Sequence, residues 1–122
     1  MPILCIGETA DENQKNNTYD VLESQISEAL QDLNELNSLI IAYEPVWAIG
    51  TGETASIDHI NEIHEQVKSK LKDLELNIPV LYGGSVNPSN SKGILESEFV
   101  DGVLVGGAST KIDQLEGILN SI

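Results

Sequence analysis

Leu39-Ile40-Ile41-Ala42-Tyr43-Glu44-Pro45-Val46-Trp47-Ala48-Ile49-Gly50-Thr51-Gly52 decides how this chain is read. The apolar run Leu39 to Ala42 has the length and composition of a strand buried on both faces. It leads into a carboxylate, Glu44. The loop that follows is stiff at its start, because Pro45 fixes φ, and loose at its finish, because Gly50 and Gly52 release it. That is the make-up of a lid moving about hinges.

The same unit recurs on either side. Ile3-Leu4-Cys5-Ile6 is a short strand that stops at Gly7, before the polar stretch Glu8 to Asn17. Pro79-Val80-Leu81-Tyr82 stops at Gly83-Gly84-Ser85, and Gly102-Val103-Leu104-Val105 stops at Gly106-Gly107. Helical stripes follow each strand. Tyr19, Leu22, Ile26, Ala29, Leu30 and Leu33 form the first. Ser56 caps the second, which carries Ile60, Ile63, Val67, Leu71 and Leu74. Asn87-Pro88 reads as the N-cap and first position of a short helix around Asn90 to Leu95. Ile112, Leu115, Ile118, Leu119 and Ile122 form the last stripe.

Strand then helix, four times, predicts α/β architecture with a parallel sheet under helices. No linker-like or low-complexity tract interrupts it, so residues 1–122 read as a single domain. A full (β/α)8 barrel takes about 250 residues. These 122 residues supply four units, which fit an open sheet or half of a barrel.

Charge is lopsided, with 20 acidic residues against 6 basic and a net charge of −14. That argues against nucleic acid and anionic membrane surfaces as partners. It also repels a phosphate ligand, so any phosphate site must be made locally from backbone N–H groups and helix ends. The single cysteine, Cys5, excludes an internal disulfide and fits a reducing compartment; it reads as a small buried strand residue. With no long apolar run and no leader pattern, the expected location is cytoplasmic.

Glu44 sits at a strand end, the edge on which α/β barrels build active sites. A carboxylate held at a rigid strand end beneath a closing loop is placed to act as a general base. Taken alone, it reads more readily as a solvated loop carboxylate, and Trp47 as a core or crevice aromatic; the proline, tryptophan and glycines that follow favour the functional reading. A lone Gly-Gly after a strand is most often an ordinary βα turn; two such pairs after consecutive strands read equally as tight turns and as a phosphate cradle. His64 lies on its helix's apolar stripe and His59 on the flank, both structural or surface in character. No Cys/His spacing suits a metal, no serine sits in a nucleophile elbow, and no cofactor is expected.

Ala42 to Gly52 resembles the base-and-lid segment of the triosephosphate isomerase family. Tyr82-Gly83-Gly84-Ser85-Val86 and Asp101 to Ser109 resemble its seventh and eighth strand–loop segments, and Cys5-Ile6-Gly7-Glu8-Thr9 its fifth. The resemblance runs in order over essentially the whole chain, so it implies the C-terminal half of a TIM barrel. It implies that Glu44 shuttles a proton between adjacent carbons of a three-carbon sugar phosphate. Gly50, Ser85, Gly106 and Gly107 would offer N–H groups to the phosphate. Pro45, Val46, Trp47, Ala48, Ile49, Thr51 and Gly52 would form the lid. Tyr82 and Ser85 would latch it, and Glu8 would receive the Trp47 indole N–H on closure. Glu53 departs from the lysine the family often carries after the second lid glycine.

The first half of the family pattern, with its substrate-placing lysine and carbonyl-polarising histidine, has no counterpart here. Lys15 does not match the lysine motif, and His59 and His64 match nothing catalytic. The expectation is a chain nearly inactive alone; the alternative is a non-catalytic half-barrel that assembles or binds phosphate. The expected partners are a triose phosphate or similar anion, and either a complementary N-terminal half or further copies of the chain. Leu4, Ile6, Ile41, Val80 and Val103 belong to strands that lose neighbours, leaving open edges and an exposed face that favour a homodimer or small oligomer.

Overall fold

The computed structural model describes residues 1–31 and 38–122. Element order is β1 (Ile3–Ile6), α1 (Ala10–Gln14), α2 (Thr18–Leu30), β2 (Ile40–Tyr43), α3 (Ile57–Asp73), β3 (Val80–Tyr82), α4 (Ser91–Leu95), β4 (Gly102–Val103) and α5 (Ile112–Leu119). The four strands form one sheet in the order β1-β2-β3-β4, all pairs parallel. This is the predicted half-barrel α/β architecture. Among the described residues no helix is long and apolar enough to cross a membrane.

Register decides which side chains face the helices. Leu4, Ile41 and Val80 lie in one row across the sheet, and Ile6, Tyr43, Tyr82 and Val103 in the next. Ile6, Ile41, Tyr43, Val80 and Tyr82 are buried in the core, with Leu4 and Val103 packed against it. Side chains alternate faces along a strand, so the opposite row, Cys5, Ala42, Leu81 and Gly102, lies on the face without helices, where Ala42 is nonetheless fully buried between its neighbours. The residues named from sequence as losing neighbours therefore keep a cover of helices. The open face belongs to the other parity, and Cys5, expected to be buried, is exposed on it.

Local chemistry explains the helices. Thr9 caps α1: its side chain accepts from the Glu12 N–H, and the Glu12 carboxylate accepts from the Thr9 N–H at 2.7 Å. This reciprocal pair folds a helix inside a stretch expected to be a polar loop. Helix α2 buries Thr18, Leu22 and Ile26, one residue per turn on one face. Tyr19 and Ala29, assigned to that stripe from sequence, are exposed, and Leu33 lies outside the described residues. Gln25 pins α2 to the end of β1, accepting from the Gly7 N–H at 2.9 Å and donating to the Gly7 carbonyl at 3.0 Å.

Ser56 caps α3 as predicted, accepting from the His59 N–H at 3.2 Å. The helix buries Ile60, Ile63, His64, Val67 and Leu71. Leu74, assigned to that stripe, sits at the C-cap and is exposed. Asn87 caps a turn rather than the helix itself: its Oδ1 accepts from the Ser89 and Asn90 N–H groups, and α4 starts at Ser91. At the edge strand, β4, the Asp101 carboxylate accepts from the Val80 N–H at 2.7 Å and pairs with Lys68 at 2.7 Å. Partial burial alone would raise the pKa of this carboxyl, but Lys68 and the Val80 N–H together hold it below its ordinary value.

Helix α5 departs most from expectation. Of its predicted stripe, Ile118 is buried and Leu115 half-buried, while Ile112, Leu119 and Ile122 are exposed. The packed face is made by Gly117, where a Cβ would meet Pro88, and by Ile118 and Ser121, whose Oγ lies 2.8 Å from Ser91 Oγ.

Candidate active site

Glu44 follows β2 directly, and the sheet fixes its backbone. Its N–H donates to the Ile6 carbonyl at 2.7 Å, and the Gly83 N–H donates to the Tyr43 carbonyl at 2.8 Å. Both bonds extend the parallel ladder one step past the strand ends. The neighbouring strand ends must be bare to allow this. A Cβ on Gly7 would collide with the Glu44 carbonyl, and one on Gly83 would meet Glu44 Cγ at 2.7 Å. The carboxylate is half-buried on the open face, beside Cys5. Partial burial and then the Glu44 carboxylate raise the Cys5 thiol above its ordinary pKa, because a thiolate there would face a carboxylate.

The segment after Glu44 is built in two parts. Val46–Ala48 forms a 3₁₀ turn started by Pro45 at φ −58°. Gly50 and Gly52 then adopt φ +66° and +80°, the left-handed region that glycine enters without steric cost. Thr51 ties the parts together, its hydroxyl donating to the Trp47 carbonyl at 2.9 Å and accepting from the Glu53 N–H at 3.1 Å.

Three contacts hold this segment down. The Trp47 indole N–H donates to Glu8 Oε1 at 2.9 Å, and the same oxygen accepts from the Tyr43 hydroxyl at 3.2 Å. The Ser85 hydroxyl donates to the Ala48 carbonyl at 2.6 Å. Val46 N–H donates to the Glu8 carbonyl at 3.0 Å. Glu8 is fully buried. Burial and then the Glu8 carboxylate push the Tyr43 hydroxyl far above its ordinary pKa, so it stays protonated and donates. The Tyr82 hydroxyl is also buried, with no described partner at hydrogen-bond geometry. Burial, opposed by the neighbouring Ala55 backbone, pushes its pKa up to about 12.

The residues singled out from sequence converge here. Glu44, Gly50, Ser85, Gly106 and Gly107 line one cleft of about 430 Å³ at the C-terminal ends of the strands. A Cβ on Gly106 or Gly107 would meet nothing, so that wall is open to a ligand. Among the described residues, none accepts from the N–H groups of Gly106 or Gly107. No lysine or histidine lines the cleft. Lys15 pairs with Asp11 at 2.6 Å on the surface. His64 is fully buried under the other face of the sheet, its ring centroid 5.9 Å from Tyr43 and 6.3 Å from Tyr82. His59 lies with its ring centroid 6.3 Å from that of Trp47.

Sequence reasoning passed over three contributors. Thr54 and Asn87 also line the cleft. Asn90 shapes the Ser85 loop, donating to the Ser85 carbonyl at 2.8 Å and accepting from the Asn87 N–H at 2.8 Å. The asparagine spacing after a glycine pair is a turn signal, and it could have pointed to them. No group of three or more His, Cys, Asp or Glu side chains among the described residues is placed for a metal ion.

Comparison with known proteins agrees with this arrangement. The family model described as triosephosphate isomerase matches residues 1–122. A triosephosphate isomerase of Geotalea uraniireducens (strain Rf4) is 49% identical over 124 residues, covering 96% of this chain and 49% of that protein. Those of Francisella tularensis subsp. novicida (strain U112) and Alkaliphilus metalliredigens (strain QYMF) are 45% and 43% identical, each covering 98% of this chain and 49% and 51% of theirs. The chain thus spans about half the length of the curated relatives it matches. With four parallel β/α units and a family-model match over residues 1–122, the chain belongs to the triosephosphate isomerase family.

Proposed function

We propose that this chain is the C-terminal half of the isomerase barrel and carries its proton-transfer base, lid and phosphate cradle. Glu44 takes a proton from one carbon of a triose phosphate and returns it to the next. The Gly50, Ser85, Gly106 and Gly107 N–H groups hold the phosphate against a chain whose net charge of −14 would otherwise repel it. Val46 to Gly52 closes over the site, with Trp47 anchored on Glu8 and the Tyr82 and Ser85 hydroxyls as latches. The observation that carries this reading is the single cleft shared by the carboxylate and the two glycine turns.

In this reading the electrophile and the substrate-placing lysine belong to the first half of the barrel. Alone, the chain is nearly inactive, since each missing acid–base contribution is worth about 10²–10⁴-fold. The absence of lysine and histidine from the described cleft lining also favours a second reading: the chain alone binds a phosphate-like anion without turning it over. The test is Glu44→Gln in a barrel reconstituted with a first-half polypeptide. Turnover should fall by about 10²-fold or more while phosphate-ligand affinity stays within a few-fold. Turnover that survives removes Glu44 as the base.

A further inference from the structure

Ser85 meets the cleft from inside a turn that holds it on two sides. Its hydroxyl donates to the Ala48 carbonyl at 2.6 Å, and its carbonyl accepts from Asn90 Nδ2 at 2.8 Å. Its N–H has no acceptor among the described residues, and the residue lines the cleft. A half-buried N–H in that position is a donor held ready for water or a ligand.

The Asn90 carboxamide ties this turn together. Its Nδ2 donates to the Ser85 carbonyl, and its Oδ1 accepts from the Asn87 N–H at 2.8 Å. A carbonyl only accepts and an N–H only donates, so these two partners fix which way the amide is turned. Asn87 answers in kind, its Oδ1 accepting from the Asn90 N–H at 3.2 Å. Each asparagine side chain therefore holds the other's backbone. Pro88 lies between them with its φ fixed by its ring, packed where a Cβ on Gly117 would meet its Cγ at 2.8 Å. Asn90 stands immediately before α4 but makes no side-chain cap bond to that helix. Its carboxamide serves the Ser85 turn instead.

We propose that Asn90 is a positioning residue for the anion: by bonding the Ser85 carbonyl it keeps the Ser85 N–H aimed at the phosphate of a triose phosphate and the Ser85 hydroxyl on the lid segment. Without it, the Ser85 carbonyl and the Asn87 N–H lose their partner together, and the peptides on either side of Val86 are free to turn. No lysine lines the cleft, so on this chain the phosphate depends on backbone N–H groups. A hydrogen bond weakens steeply as its angle falls below about 120°, so a small rotation at Ser85 costs the cradle a donor. The proposal rests on the phosphate-cradle reading above and not on the chemistry of Glu44.

The test uses the chain assembled with a first-half polypeptide and reads binding and turnover separately. Binding is measured by calorimetry with glycerol 3-phosphate, a three-carbon phosphate that has no carbonyl to react. Asn90→Ala should weaken it about tenfold, and so should Asn90→Leu, which keeps the branched shape and loses both bonds. Ser89→Ala removes a bond to Asn87 Oδ1 in the same turn without touching Ser85, and should leave affinity within about twofold. Turnover is measured with glyceraldehyde 3-phosphate and with glyceraldehyde, which has no phosphate to place. Both Asn90 variants should lower kcat/KM for the phosphate ester by about 10- to 100-fold and leave that for glyceraldehyde within about threefold. Thermal midpoints by circular dichroism check that each variant is folded, and Asn90→Leu decides the matter if Asn90→Ala is not. An equal loss for both substrates would make Asn90 a structural residue only and overturn the proposal. So would an affinity that neither Asn90 variant moves, or one that Ser89→Ala lowers as much. An assembly whose affinity depends on Asn90 as described but which turns over neither substrate counts against the isomerase reading alone. One that binds no glycerol 3-phosphate overturns both.

Discussion

The position of Glu44 is set by its glycine neighbours. Because a Cβ on Gly83 would come within 2.7 Å of Glu44 Cγ, Gly83→Ala must push the carboxylate aside. In a reconstituted barrel this should lower kcat by about 10- to 100-fold, with a smaller change in KM, as steady-state kinetics would read. An unchanged kcat would mean that the carboxylate position is not what matters. His64 makes a separate prediction. Burial holds its imidazole neutral and lowers its pKa to about 4, whereas the unfolded chain titrates near the ordinary value of about 6.5. The unfolded state therefore binds the proton first as pH falls. The stabilising contribution is full above about pH 6.5 and is lost progressively down to about pH 4, on the order of 3 kcal/mol in all. Urea midpoints should fall across that window, and His64→Phe should flatten that part of the profile. A wild-type profile parallel to that of the variant would contradict this.

Helix ends show where a sequence states its structure and where it does not. At the end of α3 the Leu76 N–H donates to the Leu71 carbonyl and the Glu75 N–H to the Lys72 carbonyl, both at 2.9 Å, the bonding of a Schellman cap. The left-handed position is held by Glu75 at φ +58°, where glycine is the unstrained choice, and its charge faces the negative end of the helix dipole. Glu75→Gly should stabilise the chain by about 0.5–1 kcal/mol, seen as a higher thermal midpoint; a lower one would show that the Glu75 side chain makes an unrecognised contact. The α1 cap was legible in Thr9-x-x-Glu12, yet the polar composition of Glu8 to Asn17 pointed to a loop. The strand ends read well because each strand announces its own end with glycine or proline. Cys5 read wrongly because strand burial depends on what covers each face, and an apolar tetrapeptide does not say which of its faces lacks a cover. The exposed residues of α5 read wrongly for the same reason.

At the scale of the whole molecule, four β/α units bring a carboxylate, a hinged segment and two glycine turns to one end of a sheet that is not closed. The charge of the chain is spread over its helices and loops, and the strands are left uncharged. That division suits a parallel sheet packed under helices: solvated outside, apolar within. The chemistry we propose needs Glu44 together with an electrophile from the first half of the family barrel. An isomerisation assay with a triose phosphate tests it most directly, run on the chain alone, on a first-half polypeptide alone, and on the two mixed. Turnover is expected only in the mixture, and is lost when the chain carries Glu44→Gln. Turnover at near-family rates by the chain alone, or in a mixture carrying Glu44→Gln, would contradict it.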